Sequence, residues 1–401
     1  MFVGNVVARA LGFVFPLVLA RVLPRPEFAL VYFYIATGFF VGELVLAGFP
    51  TSLTRFIAAP TDRPLGGWWW SSIVAGMPLL VASILLGAIV AGDAAADPAL
   101  LAMVVVGLSI DAYYFGSLRG LGRFALLAGY RIGANLAQLV LLVVAWWAGV
   151  ATVPVVVAIY AFTYLVPILV IEVATGPVRG ILRTRGRPSV DLMRTLTAFA
   201  IPALVSGTAY AAILGLDVYW VRTLAPADLA DYSAARALAM PMGMVPFAIG
   251  IVLMPRVAAS EARVQVGLLQ EAVAVTTVTV ALAVVASAVL APLVVGIVYP
   301  ATFTKAASLV PWLAAAVGTI GIYSVVTQWW LGRSRPVVPA TCLVIGALVA
   351  AGAHLALDPT WGGQGAAAAM LVGSAVALVL LGIATVTATR AFGRSRTDHV
   401  G

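Results

Sequence analysis

The chain has 401 residues, of which 63% are hydrophobic and 9% are charged, and its formal net charge is +8. Because a soluble domain is roughly one quarter charged, this composition excludes a soluble globular protein, and it also differs from the composition of disordered or fibrous chains. Much of the surface must therefore face lipid, and a chain with one cysteine, Cys342, has no disulfide framework.

Apolar segments follow one another along the whole chain, each close to the roughly 20 residues that a helix needs to cross a membrane. The first contains Arg9 and is too long for the apolar region of a cleaved signal peptide, so we expect it to be a spanning helix. The connections are short, which predicts an all-α polytopic membrane protein of about twelve helices without an inserted soluble domain. The predicted spans are 2–22, 29–54, 68–91, 99–117, 131–149, 153–174, 197–221, 232–254, 270–299, 307–331, 336–357 and 364–388.

Basic residues are concentrated in every second loop of this arrangement. The opposite loops hold few basic residues, and acidic residues accompany them. Because positively charged loops remain cytoplasmic, we expect both termini to face the cytoplasm, and the net charge of +8 then needs no nucleic-acid partner. The basic set consists of Arg55 and Arg63; Arg119, Arg123 and Arg131; Arg179, Arg183, Arg185, Arg187 and Arg194; Arg256 and Arg263; Arg333 and Arg335; and Arg390, Arg394 and Arg396.

Two stretches of the sequence resemble each other at a distance of 201 residues. "RVLPRPEFALVY" at Arg21 matches "RTLAPADLADYS" at Arg222, and the same shift places "LTRFIAA" on "MPRVAAS". A repeat of this length indicates a duplicated chain. We therefore predict a lobe of six helices over residues 1–190 and a second over residues 191–401, related by a pseudo-two-fold axis and enclosing a central cleft.

Two arginines lie inside predicted spans, where a charge costs at least about 2.5 kcal/mol at the bilayer centre unless it faces protein or water. Arg9 is near the middle of the first helix, and Arg236 lies about one turn inside the eighth, which Pro241 should bend shortly afterwards. Since guanidinium groups bind phosphate oxygens in a bidentate manner, we predict that both arginines bind an anionic cargo. Alternatively, Arg236 extends to the outer interface or pairs with Asp217 on the preceding helix.

Three carboxylates also lie within predicted spans: Glu43, Asp111 and Asp217. Each is a candidate for coupling transport to a proton or cation gradient, or for an ion pair that holds Arg9 when cargo is absent. The alternative is a fixed buried ion pair that serves the fold.

Several other polar side chains have a functional and a structural interpretation. The rings of Tyr34 and Tyr113 can stack on sugars of a cargo, or they pack within the fold. We expect His354 and Asp358, four residues apart, to form a pair at a loop end near the outer face. Glu172 is expected at the interface.

The sequence contains no motif for nucleotide, metal or nucleophilic chemistry. There is no G-x-x-x-x-G-K-[ST] motif, and the single lysine, Lys305, lies in "TFTKAA". With two histidines and one cysteine, neither metal-ligand spacing nor a catalytic triad is available. We therefore expect no metal, no cofactor, no direct use of nucleotide and no enzymatic activity.

Larger stretches carry a family resemblance. "LARVLPRPEFALVYF", "GFPTSLTRFIA", "LRGLGRF" and "DYSAARALAMPMGMVPFAIGIVLMPRV" resemble the polysaccharide (Wzx-type) flippases of the multidrug/oligosaccharidyl-lipid/polysaccharide exporter superfamily. The resemblance implies twelve helices in two lobes and the translocation of a polyprenyl-pyrophosphate-linked oligosaccharide to the outer leaflet by alternating access. By position, Arg9 and Arg236 match the basic residues that contact pyrophosphate or acidic sugars, whereas Arg21 and Arg222 match structural arginines.

The same resemblance implies a setting for the protein. It implies the inner membrane of a bacterium and a role in polysaccharide biosynthesis. The implied partners are the lipid-linked oligosaccharide and membrane lipids, with a glycan polymerase and glycosyltransferases as further candidates.

Three other functions remain open from the sequence. An ion-coupled drug or cation exporter of the same superfamily would depend on cleft carboxylates rather than on arginines. A membrane glycan-assembly enzyme would need carboxylates on an outer loop, where only Asp93 and Asp97 form a pair. A membrane scaffold without transport activity would tolerate Arg9→Ala and Arg236→Ala.

Overall fold

A computed structural model describes residues 2–46, 48–58, 63–184, 186–258, 260–333 and 335–394, and within these ranges the regular secondary structure is helical. Two 3-10 turns, Pro226–Asp228 and Met240–Gly243, lie on either side of α12. The α-helices are α1 (Phe2–Val22), α2 (Arg25–Leu46), α3 (Phe49–Ala58), α4 (Leu65–Asp93), α5 (Pro98–Gly120), α6 (Phe124–Trp147), α7 (Val153–Phe162), α8 (Leu165–Ala174), α9 (Pro177–Arg183), α10 (Val190–Gly215), α11 (Asp217–Leu224), α12 (Leu229–Ala239), α13 (Met244–Ala258), α14 (Ala262–Val298), α15 (Ala306–Gly332), α16 (Val337–Trp361) and α17 (Gly363–Arg394).

The lengths and compositions of these helices confirm the prediction of a polytopic membrane protein. In the described part of the chain, 11 helical segments are long and apolar enough to cross a membrane. They coincide with the second to twelfth predicted spans. The described apolar part of the first predicted span is shorter and comprises Leu11–Val22 of α1.

Several predicted spans consist of two helices rather than one. The eighth changes from α12 to α13 through the 3-10 turn Met240–Gly243, which contains Pro241. Because proline has no N–H to donate to the preceding turn, the α-helix is interrupted there, at the place where a bend is expected after Arg236. The sixth predicted span is likewise divided between α7 and α8, with Pro167 in the first turn of α8.

Two pairs of helices end at positions about 200 residues apart, as expected for a duplicated sequence. Helix α1 ends at Val22 and α11 at Leu224, whereas α3 ends at Ala58 and α13 at Ala258. In both cases the separation is close to the 201 residues that relate Arg21 to Arg222. The two matching stretches of sequence therefore occupy equivalent positions in the order of helices.

Contacts between Cα atoms divide the chain into two units, Met1–Thr223 and Leu224–Gly401, which we call unit 1 and unit 2. Helices α10 and α11 belong to unit 1, where α10 packs against α2, α3 and α4. A Cβ at Gly215 of α10 would lie 3.1 Å from the carbonyl oxygen of Ala36 in α2. The predicted lobes, 1–190 and 191–401, stay a prediction.

Each unit is built around one central helix. In unit 1, α5 contacts α2, α3, α4 and α7, and in unit 2, α15 contacts α12, α13, α14 and α17. Small residues allow the close approach: a Cβ at Gly107 of α5 would overlap the carbonyl group of Ala161. Glycine at such a contact is typical of helix packing in membranes, where interhelical van der Waals contacts replace the hydrophobic effect.

Candidate functional site

An ion pair between a half-buried arginine and a buried aspartate joins α5 and α6 in unit 1. Arg131 Nη2 is 3.0 Å from Asp111 Oδ2, and the Tyr130 hydroxyl donates a hydrogen bond to Asp111 Oδ1 over 2.5 Å. The guanidinium also lies over the Phe115 ring, with its carbon 4.6 Å from the ring centroid. Both carboxylate oxygens of Asp111 therefore have partners, which fits the fixed-ion-pair alternative rather than the coupling role.

The expectation that Arg131 lies in a cytoplasmic loop is wrong. Helix α6 begins at Phe124, so Arg131 is two turns inside it and the loop before it is short. The position is stable because the arginine meets a carboxylate and aromatic rings there, which offset the cost of removing its charge from water.

Arg236 lies in the last turn of α12, whose residues are almost all buried. Its exposed fraction is 6%, and it is seven residues, or about 10 Å, beyond the first residue of the helix. Such burial does not fit a side chain that extends to the outer interface. Asp217, the first residue of α11, is also fully buried. Its pairing with Arg236 stays a prediction, and so does the role of Arg9, whose side chain lies outside the described residues.

Glu43 differs from Asp111 in its surroundings. It lies in the last turn of α2, close to the point where the second predicted span changes from α2 to α3. It is half-buried, and among the residues that the structure describes it has no hydrogen-bond or ion-pair partner. A carboxylate without a partner in a membrane-spanning segment costs free energy, which binding of a proton or cation would relieve.

The two tyrosines that were candidates for sugar contacts both use their hydroxyl groups within unit 1. Tyr34 is 1% exposed, and its hydroxyl accepts a 2.7 Å hydrogen bond from the backbone N–H of Asp97. The Tyr113 hydroxyl donates to the carbonyl oxygen of Ser72 over 3.0 Å. These bonds support the packing alternative, and Tyr113 also lines a cavity.

That cavity has a volume of about 420 Å³ and lies between α4, α5, α8 and α9. Its walls are mostly apolar, and the polar residues among them include Tyr114, Glu172 and Arg179. Both oxygens of Glu172 accept backbone N–H groups, from Val178 and Arg179, at 3.0 Å each. The sequence gives little sign of the cavity, because its lining is spread over more than one hundred residues and includes no motif.

One end of unit 1 carries an anchor for α11, formed by Tyr219 and Arg222 with the turn between α4 and α5. Arg222 Nε donates to the carbonyl oxygen of Ala94 over 2.6 Å, and Nη2 donates to that of Ala95 over 3.0 Å. The Tyr219 hydroxyl donates to the Asp93 carboxylate. Ala95 has a φ of 48°, a left-handed conformation that is rare outside glycine. The arrangement fits the structural role implied for Arg222.

Replacing Arg222 by Ala should lower the free energy of unfolding by about 1.5–3 kcal/mol, because two backbone carbonyl groups lose their charged hydrogen-bond donor. Arg222→Lys, which keeps the charge but not the two-pronged geometry, should fall between wild type and Arg222→Ala. Thermal unfolding in detergent measures the effect. Arg123→Ala, at an exposed position, is the control, and an equal loss there would contradict a specific role for the anchor.

Unit 2 has a corresponding polar cluster at the start of α12 and α15. Lys305 Nζ lies 2.6 Å from Asp228 Oδ1, and the backbone N–H of Lys305 donates to Asp231 Oδ1 over 3.1 Å. Asp228 Oδ2 also accepts the N–H of Gly363 over 2.9 Å. The cluster joins the ends of three helices, so its charges serve the fold.

His354 and Asp358 form the predicted pair, with His354 Nδ1 2.9 Å from Asp358 Oδ2. The expected position at a loop end is wrong, because α16 continues to Trp361 and both side chains are buried in it. One turn of helix separates the two residues, which brings them to the same face.

Comparisons with known proteins agree with this architecture. The inward-facing conformation of a multidrug resistance MATE family transporter of the MOP superfamily superimposes with a TM-score of 0.81 at 14% identity, covering 96% of each chain. A structure described as lipid II flippase MurJ, inward closed conformation, gives 0.78 at 12% identity over 96% of this chain and 87% of that one. The eukaryotic MATE transporter AtDTX14 gives 0.66 at 17% identity over 98% and 95%. At these identities the likeness shows the fold alone.

Sequence comparison gives the family. No curated protein matches the chain. The profile of a family described as "Polysaccharide biosynthesis protein" matches residues 1–261, well over half of the chain. This match confirms the resemblance to polysaccharide flippases found in the sequence, and the chain therefore belongs to the polysaccharide biosynthesis protein family.

Proposed function

We propose that this protein is a flippase that moves a polyprenyl-pyrophosphate-linked oligosaccharide from the cytoplasmic to the outer leaflet by alternating access. Family membership over residues 1–261 carries the proposal. The fold supports it, because a lipid II flippase and MATE transporters share it over nearly the whole chain. The cargo would serve the assembly of a polysaccharide in the inner membrane of a bacterium, with both termini of the protein in the cytoplasm.

Arg236 and Arg9 are the residues that would bind the pyrophosphate. A buried guanidinium in a membrane-spanning segment is costly, so it is retained where it meets an anion. The pyrophosphate offers several oxygens to such a donor fork. The polyprenyl tail would remain in lipid while the headgroup crosses. The hydroxyl groups of Tyr34 and Tyr113 already form hydrogen bonds within the fold, so only the rings of these tyrosines would contact sugars.

Catalysis of glycan assembly is the weaker alternative, because its candidate carboxylates have structural partners. Asp97 Oδ1 accepts the N–H of Ala99 over 2.8 Å and so caps the N-terminus of α5. Asp93 accepts the hydroxyl of Tyr219 in the α11 anchor.

Export of drugs or cations is the second candidate function, because the similarity in fold to a MATE transporter is as high as that to the flippase. In such an exporter the Glu43 carboxylate would bind the cation or the coupling ion, and Arg9 and Arg236 would have no role in transport. Glycan polymerase and glycosyltransferases are proposed partners only under the flippase function.

Depletion of the protein tests the proposal directly. Lipid-linked glycans would be extracted, and the leaflet that holds them determined with a membrane-impermeant glycan-modifying reagent. Complete units accumulating on the cytoplasmic side support a flippase. Incomplete units would indicate an enzyme, and normal lipid-linked pools with altered drug sensitivity would indicate an exporter.

Glu43→Gln should abolish most of the dependence of transport on an ion gradient while leaving binding of the cargo intact. The amide has the shape of the carboxylate but cannot take up a proton or balance a cation. Proteoliposomes with and without an imposed proton or sodium gradient measure the effect. Asp217→Asn is the comparison, and a gradient response that survives Glu43→Gln would exclude Glu43 as the coupling group.

A further inference from the structure

The cavity in unit 1 follows α4 and α5 for the depth of one membrane leaflet. On α4 its lining runs from Trp69 to Leu80, and on α5 from Ser117 to Val106. Eleven residues of helix rise about 16 Å, roughly half of the hydrocarbon thickness of about 30 Å. Trp69 lies near the start of α4, at the end of unit 1 that carries Arg63, Arg119, Arg123 and Arg183; we call the loops at this end the arginine-rich loops. The cavity therefore spans the leaflet on that side.

The two ends of the cavity differ in chemistry. Toward the middle of the membrane it is lined by apolar side chains, including Met77 and Ile110, which are 52% and 37% exposed and so leave one side open. At the other end it meets Arg179, whose side chain is exposed, and Glu172, whose two carboxylate oxygens each accept a backbone N–H. An apolar slot with a cation at its mouth matches a molecule with an apolar chain and an anionic head.

A buried hydroxyl lies between these ends. Tyr114 is 6% exposed and lines the cavity, and its hydroxyl faces the Glu172 carboxylate without forming a well-aligned hydrogen bond within the described part of the chain. Buried hydroxyl groups almost always have a partner, so an acceptor from a bound molecule would satisfy this one. Glu172 already accepts two backbone N–H groups.

We propose that the cavity binds an anionic phospholipid of the leaflet on the side of the arginine-rich loops. One acyl chain occupies the apolar slot, an ester carbonyl accepts the Tyr114 hydroxyl, and the phosphate contacts Arg179. Basic pockets between membrane helices on the cytoplasmic side are known to take acidic headgroups in this way. The volume of about 420 Å³ suits one small ligand chain, and the depth of a single leaflet is too short for a polyprenyl tail.

The test counts bound lipid by native mass spectrometry on the full chain, delipidated in detergent and titrated with phosphatidylglycerol or phosphatidylcholine of the same acyl chains. Wild type should retain one phosphatidylglycerol more tightly than phosphatidylcholine. Arg179→Gln should weaken phosphatidylglycerol binding about tenfold, as expected for the loss of one charge-assisted contact, and phosphatidylcholine binding by less, because the choline cation already balances the charge of its phosphate. Met77→Trp, which fills the slot from its open side, should weaken both lipids.

Arg194→Gln is the matched control, because Arg194 is also exposed near the arginine-rich loops but does not line the cavity. Equal weakening by Arg179→Gln and Arg194→Gln, or equal binding of the two lipids by wild type, would overturn the proposal. A polyprenyl phosphate that displaces the phospholipid at the same or lower concentration would also overturn it and assign the slot to the cargo tail. If Arg179→Gln does not fold, Met77→Trp provides the test, because its side chain lies at the open face of the cavity and should not disturb the packing of the helices. Unchanged lipid binding by Met77→Trp would then overturn the proposal.

Discussion

Replacing Arg131 by Ala should lower the free energy of unfolding by about 3 kcal/mol, the low end of the range for breaking a buried ion pair, because the arginine side chain is 28% exposed. The change removes the only cation that contacts Asp111 in the described part of the chain, at 3.0 Å, and leaves a buried carboxylate without a counter-charge. It also removes the stacking of the guanidinium on Phe115. Unfolding in detergent, followed by heat or by titration with a denaturing detergent, measures the loss.

A matched control separates the ion pair from the stacking. Arg55 lies over the Phe199 ring, with its guanidinium carbon 4.4 Å from the ring centroid, and its side chain is exposed. Arg55→Ala should lower the free energy of unfolding by no more than about 1 kcal/mol, the usual contribution of an exposed cation–π contact. If Arg131→Ala lowers the free energy of unfolding by no more than Arg55→Ala does, the ion pair with Asp111 does not stabilise the fold.

A double substitution distinguishes a structural pair from a coupling site. Asp111→Asn combined with Arg131→Met removes both charges but keeps an oxygen that accepts the Tyr130 hydroxyl, and should restore most of the stability. If the pair serves only the fold, this double variant also transports. A stable double variant without transport would instead place Asp111 among the coupling groups.

The spans could be predicted from the sequence because hydrophobic length is a local property. Each predicted segment needs only its own residues, and eleven of the twelve coincide with helical segments long enough to span. The position of Arg131 could not be predicted in this way. Its place inside α6 depends on Asp111, twenty residues earlier on another helix, and hydropathy does not record which side chains face each other.

Site residues were harder to predict for the same reason. Tyr34 lies in a spanning helix and has the chemistry of a sugar contact, yet its hydroxyl bonds to Asp97, which is distant in sequence. The carboxylate at Asp93 likewise bonds to Tyr219 more than one hundred residues away. Long-range hydrogen bonds of this kind decide whether a polar group is available to a ligand, and a single sequence contains no direct sign of them.

Arg236→Ala should slow translocation of the lipid-linked oligosaccharide by about tenfold to a hundredfold, the loss expected when a charged hydrogen bond worth about 1.5–3 kcal/mol is removed. The side chain is 6% exposed in a spanning segment, so its charge must be balanced by protein or by cargo. Arg236→Lys keeps the charge but not the bidentate fork and should be intermediate. Arg256→Ala, at an exposed position in α13, is the control.

The stability of the same variants separates cargo binding from a fixed pair. If Arg236 binds the pyrophosphate, Arg236→Ala should slow translocation without a matching loss of stability. If instead Arg236 pairs with Asp217, both Arg236→Ala and Asp217→Asn should destabilise the protein, and the double variant should recover part of the loss. Full transport by a stable Arg236→Ala variant would contradict any role in cargo binding. Because a fixed pair affects folding at every cargo concentration, whereas a cargo contact affects only translocation, measuring both quantities on each variant decides between them.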